Sequence, residues 1–349
     1  MIRVLVVDDS ATARELLKRV LESDPDIEVV ATARDGREAI ELVRELHPDI
    51  VTMDLLMPVM NGFEATEHLM AFDPVPILVV TGCPVGKEAE LAFKALELGA
   101  LEVNEKPEGS SMQKPTRRST ALIRNVKTLS KVQVITHLRG RRRGADGQER
   151  SRAGAERPGK LVVMASSTGG PPALEKIFST LPPEFPAPVV AVQHIADGFT
   201  GKLVEWLDKS SPLPVTEARH GQALDGGTIC LIPNGHHGII RRDRTVALNT
   251  DPPVDGVRPS ADLLFKSAAR AHGHDVIAVV LSGMGHDGTA GARAVRAFGG
   301  TVIVQNRETC AIFGMPKAVI QEGLADTVVA DDGISAEIVK AVSGDNQHS

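Results

Sequence analysis

Apolar and polar positions along this chain fall into blocks that predict two successive β-α series. In the first third, IRVLVV (2–7), IEVVA (27–31), DIVTMD (49–54), VPILVVTG (75–82) and LEVNEKP (101–107) are apolar runs of strand length. The segments between them carry apolar residues at helical spacing. In SATARELLKRVLES, Leu16, Leu17, Val20 and Leu21 make one stripe, and GREAIELVREL repeats the pattern. Five such repeats predict an open, doubly wound parallel sheet over 1–108. A second series starts at 159 with KLVVMASS, PVVAVQHI, TICLIPN, DVIAVVLSG, GTVIVQN and DTVVAD. These runs are nearly unbroken, as expected of parallel strands covered on both faces. They predict a second α/β domain over 159–342, leaving 343–349 as a tail.

Between the two series the pattern fails. EGSSMQKPTRRST and RGRRRGADGQERSRAGAERPG are rich in Gly, Ser, Pro and Arg and have no apolar period. Leu122, Val126, Leu129, Val132 and Leu138, which lie between them, stripe one helix. Residues 109–158 are therefore expected to be a linker with a helical centre, its basic residues solvated rather than engaged.

Composition narrows the function classes. The chain has 349 residues, enough for two cores, with 42% apolar and 24% charged residues as in soluble globular proteins. Aromatic residues make up 3% and Tyr is absent, which argues against stacking on bases or sugars, and a net charge of −6 argues against a nucleic-acid footprint. Cys83, Cys230 and Cys310 are far apart and have neither metal nor redox spacing, which fits a reducing compartment. The opening MIRVLVVDDS reads as a strand, and no apolar run reaches membrane-spanning length. A cytoplasmic protein without membrane insertion is expected.

Open parallel sheets carry their functional loops at the carboxyl ends of the strands. In the first series those ends hold Asp8 and Asp9, Asp54, Thr81 and Lys106. Three converging carboxylates repel one another and call for a hard cation such as Mg²⁺, while a Lys and a Thr supply charge and a hydroxyl. This set suits phosphoryl transfer onto a carboxylate. VDDS, MDLLMPVMNG, VVTG and EKP resemble the landmarks of the receiver domain of two-component signalling. The resemblance implies that Asp54 accepts phosphate from a histidine kinase. It further implies that Asp9 and Asp54 bind Mg²⁺ directly, Asp8 acts through water, and Thr81 and Lys106 contact the phosphate. Val103 stands where many receivers carry an aromatic residue, so an aromatic-flip readout is not expected.

The strand ends of the second series offer different chemistry. KLVVMASSTGGPP ends a strand at Ser166 and Ser167 and turns through Thr168, Gly169 and Gly170 into a helix opened by Pro171. PVVAVQHIADGFT ends at His194, and VIAVVLSGMGHDG leads to Asp287. Ser, His and Asp at one edge of a parallel sheet suit acyl transfer, with a loop N–H near Thr168 or Met284 for the oxyanion. The last loop also has the G-x-G-x-x-G spacing of a dinucleotide turn at Gly283, Gly285 and Gly288. No acidic residue at the end of the next strand answers it, so the glycines are read as shaping the turn around Asp287.

SSTGG, VVAVQHIADGFT, GVRPSADLLFKSAA, VVLSGMGHDG and VQNRETCAIFGMPKAVI resemble the methylesterase domain of the CheB family of chemotaxis protein-glutamate methylesterases. The resemblance implies that Ser167 is the nucleophile with His194 and Asp287 as partners, and that Thr168 and Met284 supply oxyanion contacts. Strand alternation makes Ser166 and Ser167 non-equivalent. The implied reaction is hydrolysis of glutamyl methyl esters on methyl-accepting chemoreceptors, with glutamine deamidation as a second activity and no cofactor for hydrolysis. The implied control is a receiver that covers the catalytic cleft until it is phosphorylated. The alternative expectation is a response regulator whose second half only binds a partner.

Overall fold

β1 (Ile2–Val7) is an interior strand of a five-stranded parallel sheet, one place in from its edge, and its residues Val4–Val7 are buried. In the computed structural model, which describes residues 1–82, 87–107, 116–132, 159–196 and 198–344, the chain divides into two compact units, Met1–Asp146 and Gly147–Ser349. Cys83, Leu138 and the Arg-rich part of the expected linker lie outside the described residues.

The first unit follows the order β1, α1 (Ala11–Glu22), β2 (Ile27–Ala33), α2 (Gly36–Leu46), β3 (Ile50–Met53), α3 (Gly62–Phe72), β4 (Ile77–Thr81), α4 (Lys87–Glu97), β5 (Glu102–Glu105) and α5 (Arg117–Leu129). Its strands are all parallel in the order β2-β1-β3-β4-β5. Helix starts are written locally. Ser10 Oγ accepts from the Ala13 amide to open α1, and Asn61 and Glu64 form a reciprocal capping box at α3.

One placement differs from the sequence expectation. Of the expected stripe, Leu122, Val126 and Leu129 belong to α5, which ends before Val132; α5 packs on α1, β4 and β5 and is therefore the fifth helix of this unit. Thr116 and Ser119 cap it, and Asn125 Nδ2 donates to Asn104 Oδ1 of β5 at 2.8 Å inside the core. The Gly-, Ser- and Pro-bearing residues 108–116 before α5 hide this continuity from a reading by composition.

The second unit contains β6 (Leu161–Ser166), α6 (Gly170–Thr180), β7 (Val189–Gln193), α7 (Thr200–Ser210), β8 (Val215–Glu217), β9 (Gln222–Ala223), β10 (Ile229–Leu231), β11 (His237–Ile240) and β12 (Thr245–Asn249). It continues with α8 (Ala261–His272), β13 (Val276–Val280), α9 (Thr289–Ala297), β14 (Thr301–Gln305), α10 (Met315–Gln321), β15 (Thr327–Val329) and α11 (Ile334–Ser343). Seven parallel strands form the main sheet in the order β15-β14-β13-β6-β7-β10-β8. β6, β7 and β13 are buried along their whole length. The strand order reverses between β6 and β13, which opens the crevice where α/β sheets hold their sites. An antiparallel sheet, β11-β12-β9, lies apart from the main one. Its strands are short, and β12 and β9 are only partly buried, so they lack the continuous apolar runs by which the others are recognised.

Candidate functional sites

At the carboxyl edge of the first sheet, Asp8 and Asp9 follow β1 and Asp54 follows β3. Each offers a carboxylate oxygen, and the three oxygens lie within 4.8 Å of one another. Lys106, just past β5, reaches Asp8 Oδ2 at 2.7 Å and Asp54 Oδ2 at 3.0 Å. Thr81 ends β4, buried at the same edge, and Val103 points into the core. Burial, reinforced by the charge of Asp8 and opposed by Lys106 and the Leu55 amide, raises the Asp54 carboxyl to about 6. Burial disfavours the Lys106 ammonium, but its pairs with Asp8 and Asp54 outweigh this and raise its pKa.

The donor set fits a hard divalent cation. It is all carboxylate oxygen, and Asp8 Oδ2 is fully buried with an ion-pair partner at 2.7 Å but no hydrogen bond of good geometry. Two features escape a reading of strand ends. Arg14 Nη1 clamps the carbonyls of Asp8 and Asp9 at 2.7 and 3.0 Å. A side chain at Gly62 would place its Cβ 1.8 Å from the Asp54 carbonyl oxygen, so only glycine lets α3 start against the Asp54 loop.

In the second unit β13, β6 and β7 are neighbours, and the three loops of interest leave their carboxyl ends together. Ser166 pairs with Gln193 in register, so Ser167 and His194 are the next residues on adjoining strands. Backbone bonds extend the ladder past the strands: His194 N donates to Ser166 O at 2.9 Å, and Ser167 N to Ser282 O at 3.0 Å. Gly283 lies against the serine, where a Cβ would come within 2.8 Å of Ser167 Cβ. Ser166 Oγ is buried and donates to Gln193 Oε1 at 2.7 Å. Ser167 is half-buried, and among the described residues its hydroxyl forms no hydrogen bond, to His194 or to any other group. Thr168 is buried beside it, its carbonyl accepting from Ser282 Oγ at 2.8 Å, and Met284 is half-buried on the facing loop.

His194 Nε2 lies 3.0 Å from Asp287 Oδ2. An ionised carboxylate only accepts, so Nε2 carries the proton and Nδ1 is left as the basic nitrogen. Asp287 also accepts from Ser260 Oγ at 3.0 Å and, at the start of α8, from the amides of Ala261 at 2.7 Å and Asp262 at 3.0 Å. Burial pushes the Asp287 carboxyl up, but the hydrogen bond and charge of His194 with the Asp262 and Ala261 amides outweigh it, and its pKa falls below the ordinary value.

The residues around this pair are silent in the sequence because their partners are distant in the chain. Gln193 Nε2 donates to the carbonyls of both Ser167 and His194 at 2.8 Å, tying the two strand ends together. His237 is wholly buried; its Nδ1 accepts from Ser260 N at 3.1 Å while Nε2 faces the Pro252 carbonyl at 3.2 Å. The Ser-Ala-Asp helix start at 260–262 is the signal that points to an anion-holding helix end. The glycine turn does not seat a pyrophosphate. The amides of Gly288 and Gly291 at the start of α9 already donate to Asp262 Oδ1, at 3.0 and 2.7 Å.

Known proteins share this arrangement of domains. The family model described as CheB methylesterase matches residues 162–338, and that of the response regulator receiver domain matches residues 4–113. A protein-glutamate methylesterase/protein-glutamine glutaminase of Anaeromyxobacter dehalogenans is 45% identical over 334 residues, covering 95% of each chain. One from Nitrosospira multiformis is 40% identical over 349 residues, covering 98% of each. The crystal structure of the Thermotoga maritima CheB methylesterase catalytic domain superposes with a TM-score of 0.52 at 42% identity, covering 53% of this chain and 99% of that one. No described helix is long and apolar enough to cross a membrane.

Proposed function

The chain belongs to the CheB methylesterase family, and from that premise we propose how its own residues carry out the reaction. It is a protein-glutamate methylesterase/protein-glutamine glutaminase of chemotaxis, regulated by its receiver domain. The observation that carries the mechanism is the His194–Asp287 hydrogen bond at 3.0 Å, formed beside the strand end that bears Ser167.

Ser167 Oγ attacks the carbonyl carbon of a glutamyl methyl ester as His194 Nδ1 takes its proton. Asp287 holds the ring in that tautomer and stabilises the imidazolium. Negative charge gathers on the former carbonyl oxygen, where the backbone N–H groups of Thr168 and Met284 act as donors; losing one such donor typically costs about 3 kcal/mol of barrier stabilisation. The tetrahedral species collapses, methanol leaves with the proton from His194, and Ser167 holds the glutamyl group as an ester. His194 then deprotonates a water that attacks this ester, freeing glutamate and Ser167. Glutamine follows the same path with ammonia leaving, which makes stronger demands on proton donation by His194.

In the receiver, which on packing grounds runs through α5, Asp54 accepts phosphate from a histidine kinase. Thr81 and Lys106 contact the phosphoryl oxygens, and Asp8, Asp9 and Asp54 would hold Mg²⁺. When bound, such a cation neutralises charge on the transferring phosphoryl group. Phosphorylation of Asp54 raises the activity of the catalytic unit, and the receiver must act differently on it in its two states, since an equal effect in both would transmit nothing.

The substrates are methylated chemoreceptors. Methanol release from methylated receptor membranes, with and without a small-molecule phosphodonor and Mg²⁺, tests the whole scheme. Release that rises with the donor in the native chain but not in Asp54→Asn supports it. A binding module without catalysis would release no methanol in either state.

A further inference from the structure

Two helices at this site begin by capping each other. Neither α8 nor α9 is capped by the side chain of its own N-cap residue, Ser260 or Gly288. Asp287, which precedes α9, takes the amides of Ala261 and Asp262 on α8. Asp262, in the first turn of α8, takes the amides of Gly288 and Gly291 on α9 through Oδ1. The helices are pressed together here, since a Cβ at Gly291 would lie 2.5 Å from Phe265 Cβ. Both carboxylates are buried, each facing the positive end of the other's helix, and Lys266 Nζ stands 3.4 Å from Asp262 Oδ2.

We infer that Asp262 is a positioning residue for the methylesterase reaction: by capping α9 it fixes the peptide that carries Asp287, and thereby the carboxylate that orients His194. This rests on the Ser167–His194–Asp287 reading. Gly288 links Asp287 to α9 with φ +94°, a conformation glycine enters and leaves without strain. The turn has one backbone bond of its own, from Thr289 N to His286 O at 3.0 Å, and the Gly288 and Gly291 amides, by donating to Asp262 Oδ1, tie it to the start of α8. Asp262 acts only through Asp287, so its loss should disturb the chemical step and spare substrate binding.

The test uses the full chain activated by a phosphodonor and reads kcat and KM for methanol release, with the downfield proton resonance of the His194 Nε2–H. Asp262→Ala should lower kcat at least about tenfold with KM within about twofold, and should broaden or shift that resonance. Asp262→Asn retains an oxygen that accepts both amides and should stay within about threefold of native kcat. A folded Asp262→Ala protein with native kcat and native resonance would overturn the inference. If that variant does not fold, Asp262→Glu displaces the carboxylate by one methylene; the same kcat loss supports the role, and native kcat overturns it. Asp287→Ala separates the two readings. Full activity there removes the triad itself, whereas an inactive Asp287→Ala beside a fully active Asp262→Ala removes only the positioning role.

Discussion

Gln193→Glu changes one atom pair at the junction between the proposed nucleophile and base. Gln193 is buried, and its amide nitrogen donates 2.8 Å hydrogen bonds to the carbonyls of Ser167 and His194. A carboxylate in its place still accepts from Ser166 Oγ but turns two attractive contacts into oxygen–oxygen repulsion. Ser167 O keeps its bond from Gly170 N, whereas the His194 carbonyl loses its side-chain donor. Two lost bonds at about 1 kcal/mol each, plus a poorly solvated carbonyl, give about 2–4 kcal/mol of destabilisation at pH 7.5. In a unit of this size that corresponds to roughly 5–15 °C in its melting transition.

Burial raises the pKa of the new carboxyl in the folded state, so the protein is penalised as pH rises through that value. The deficit should shrink near pH 5, where a protonated carboxyl donates one of the lost bonds. The strand ends that carry Ser167 and His194 would separate, and kcat for methanol release should fall about a hundredfold, as expected for misplacement by about 1 Å. Calorimetry at both pH values and steady-state methanol release measure these effects. Native kcat in a variant that melts lower would show that the clamp serves stability alone. An unchanged melting transition would refute the hydrogen-bond reasoning itself.

Other consequences follow from the same contacts. Because Asp287 has a lowered pKa in the fold, its ionised form contributes stability above the ordinary carboxylate range that is lost as pH falls through the folded value. The melting deficit of Asp287→Asn should therefore be largest at neutral pH and fade below about pH 4. Gly62→Ala would drive a Cβ into the Asp54 carbonyl, and should both destabilise the receiver and abolish phosphodonor activation without touching the catalytic unit. The segment 159–349, which the matched catalytic-domain structure nearly spans, should release methanol faster than the unphosphorylated full chain. Equal rates with both proteins folded would remove autoinhibition from the account.

Strand ends were the legible part of this sequence. Apolar runs locate β1, β3, β6, β7 and β13, and chemistry-bearing residues directly follow them: Asp8, Asp54, Ser167, His194 and, one loop further on, Asp287. Their convergence follows from the topology, since parallel strands in one sheet deliver their carboxyl ends to one edge. What stayed hidden depends on pairings between distant segments. Gln193 looks like one more strand residue until its amide is seen bridging Ser167 and His194. His237 fits no metal spacing, and its role is to accept the Ser260 amide. Asp262 reads as a helix-start residue of α8, yet the helix it caps is α9. α5 was masked by its Gly-, Ser- and Pro-bearing approach, and the β11-β12-β9 sheet by short strands, of which β12 and β9 are only partly buried.

The hydroxyl of Ser167 and that of its neighbour Ser166 differ in environment by a single residue step: one is half-buried beside His194, the other sealed in the core on Gln193. Methanol release by Ser167→Ala and Ser166→Ala, measured side by side on methylated receptor membranes, therefore tests the central claim most directly. The account predicts that Ser167→Ala folds normally and releases no methanol above background. It predicts that Ser166→Ala, short of one buried hydrogen bond worth about 1 kcal/mol, still turns over. Turnover by a folded Ser167→Ala protein would contradict it.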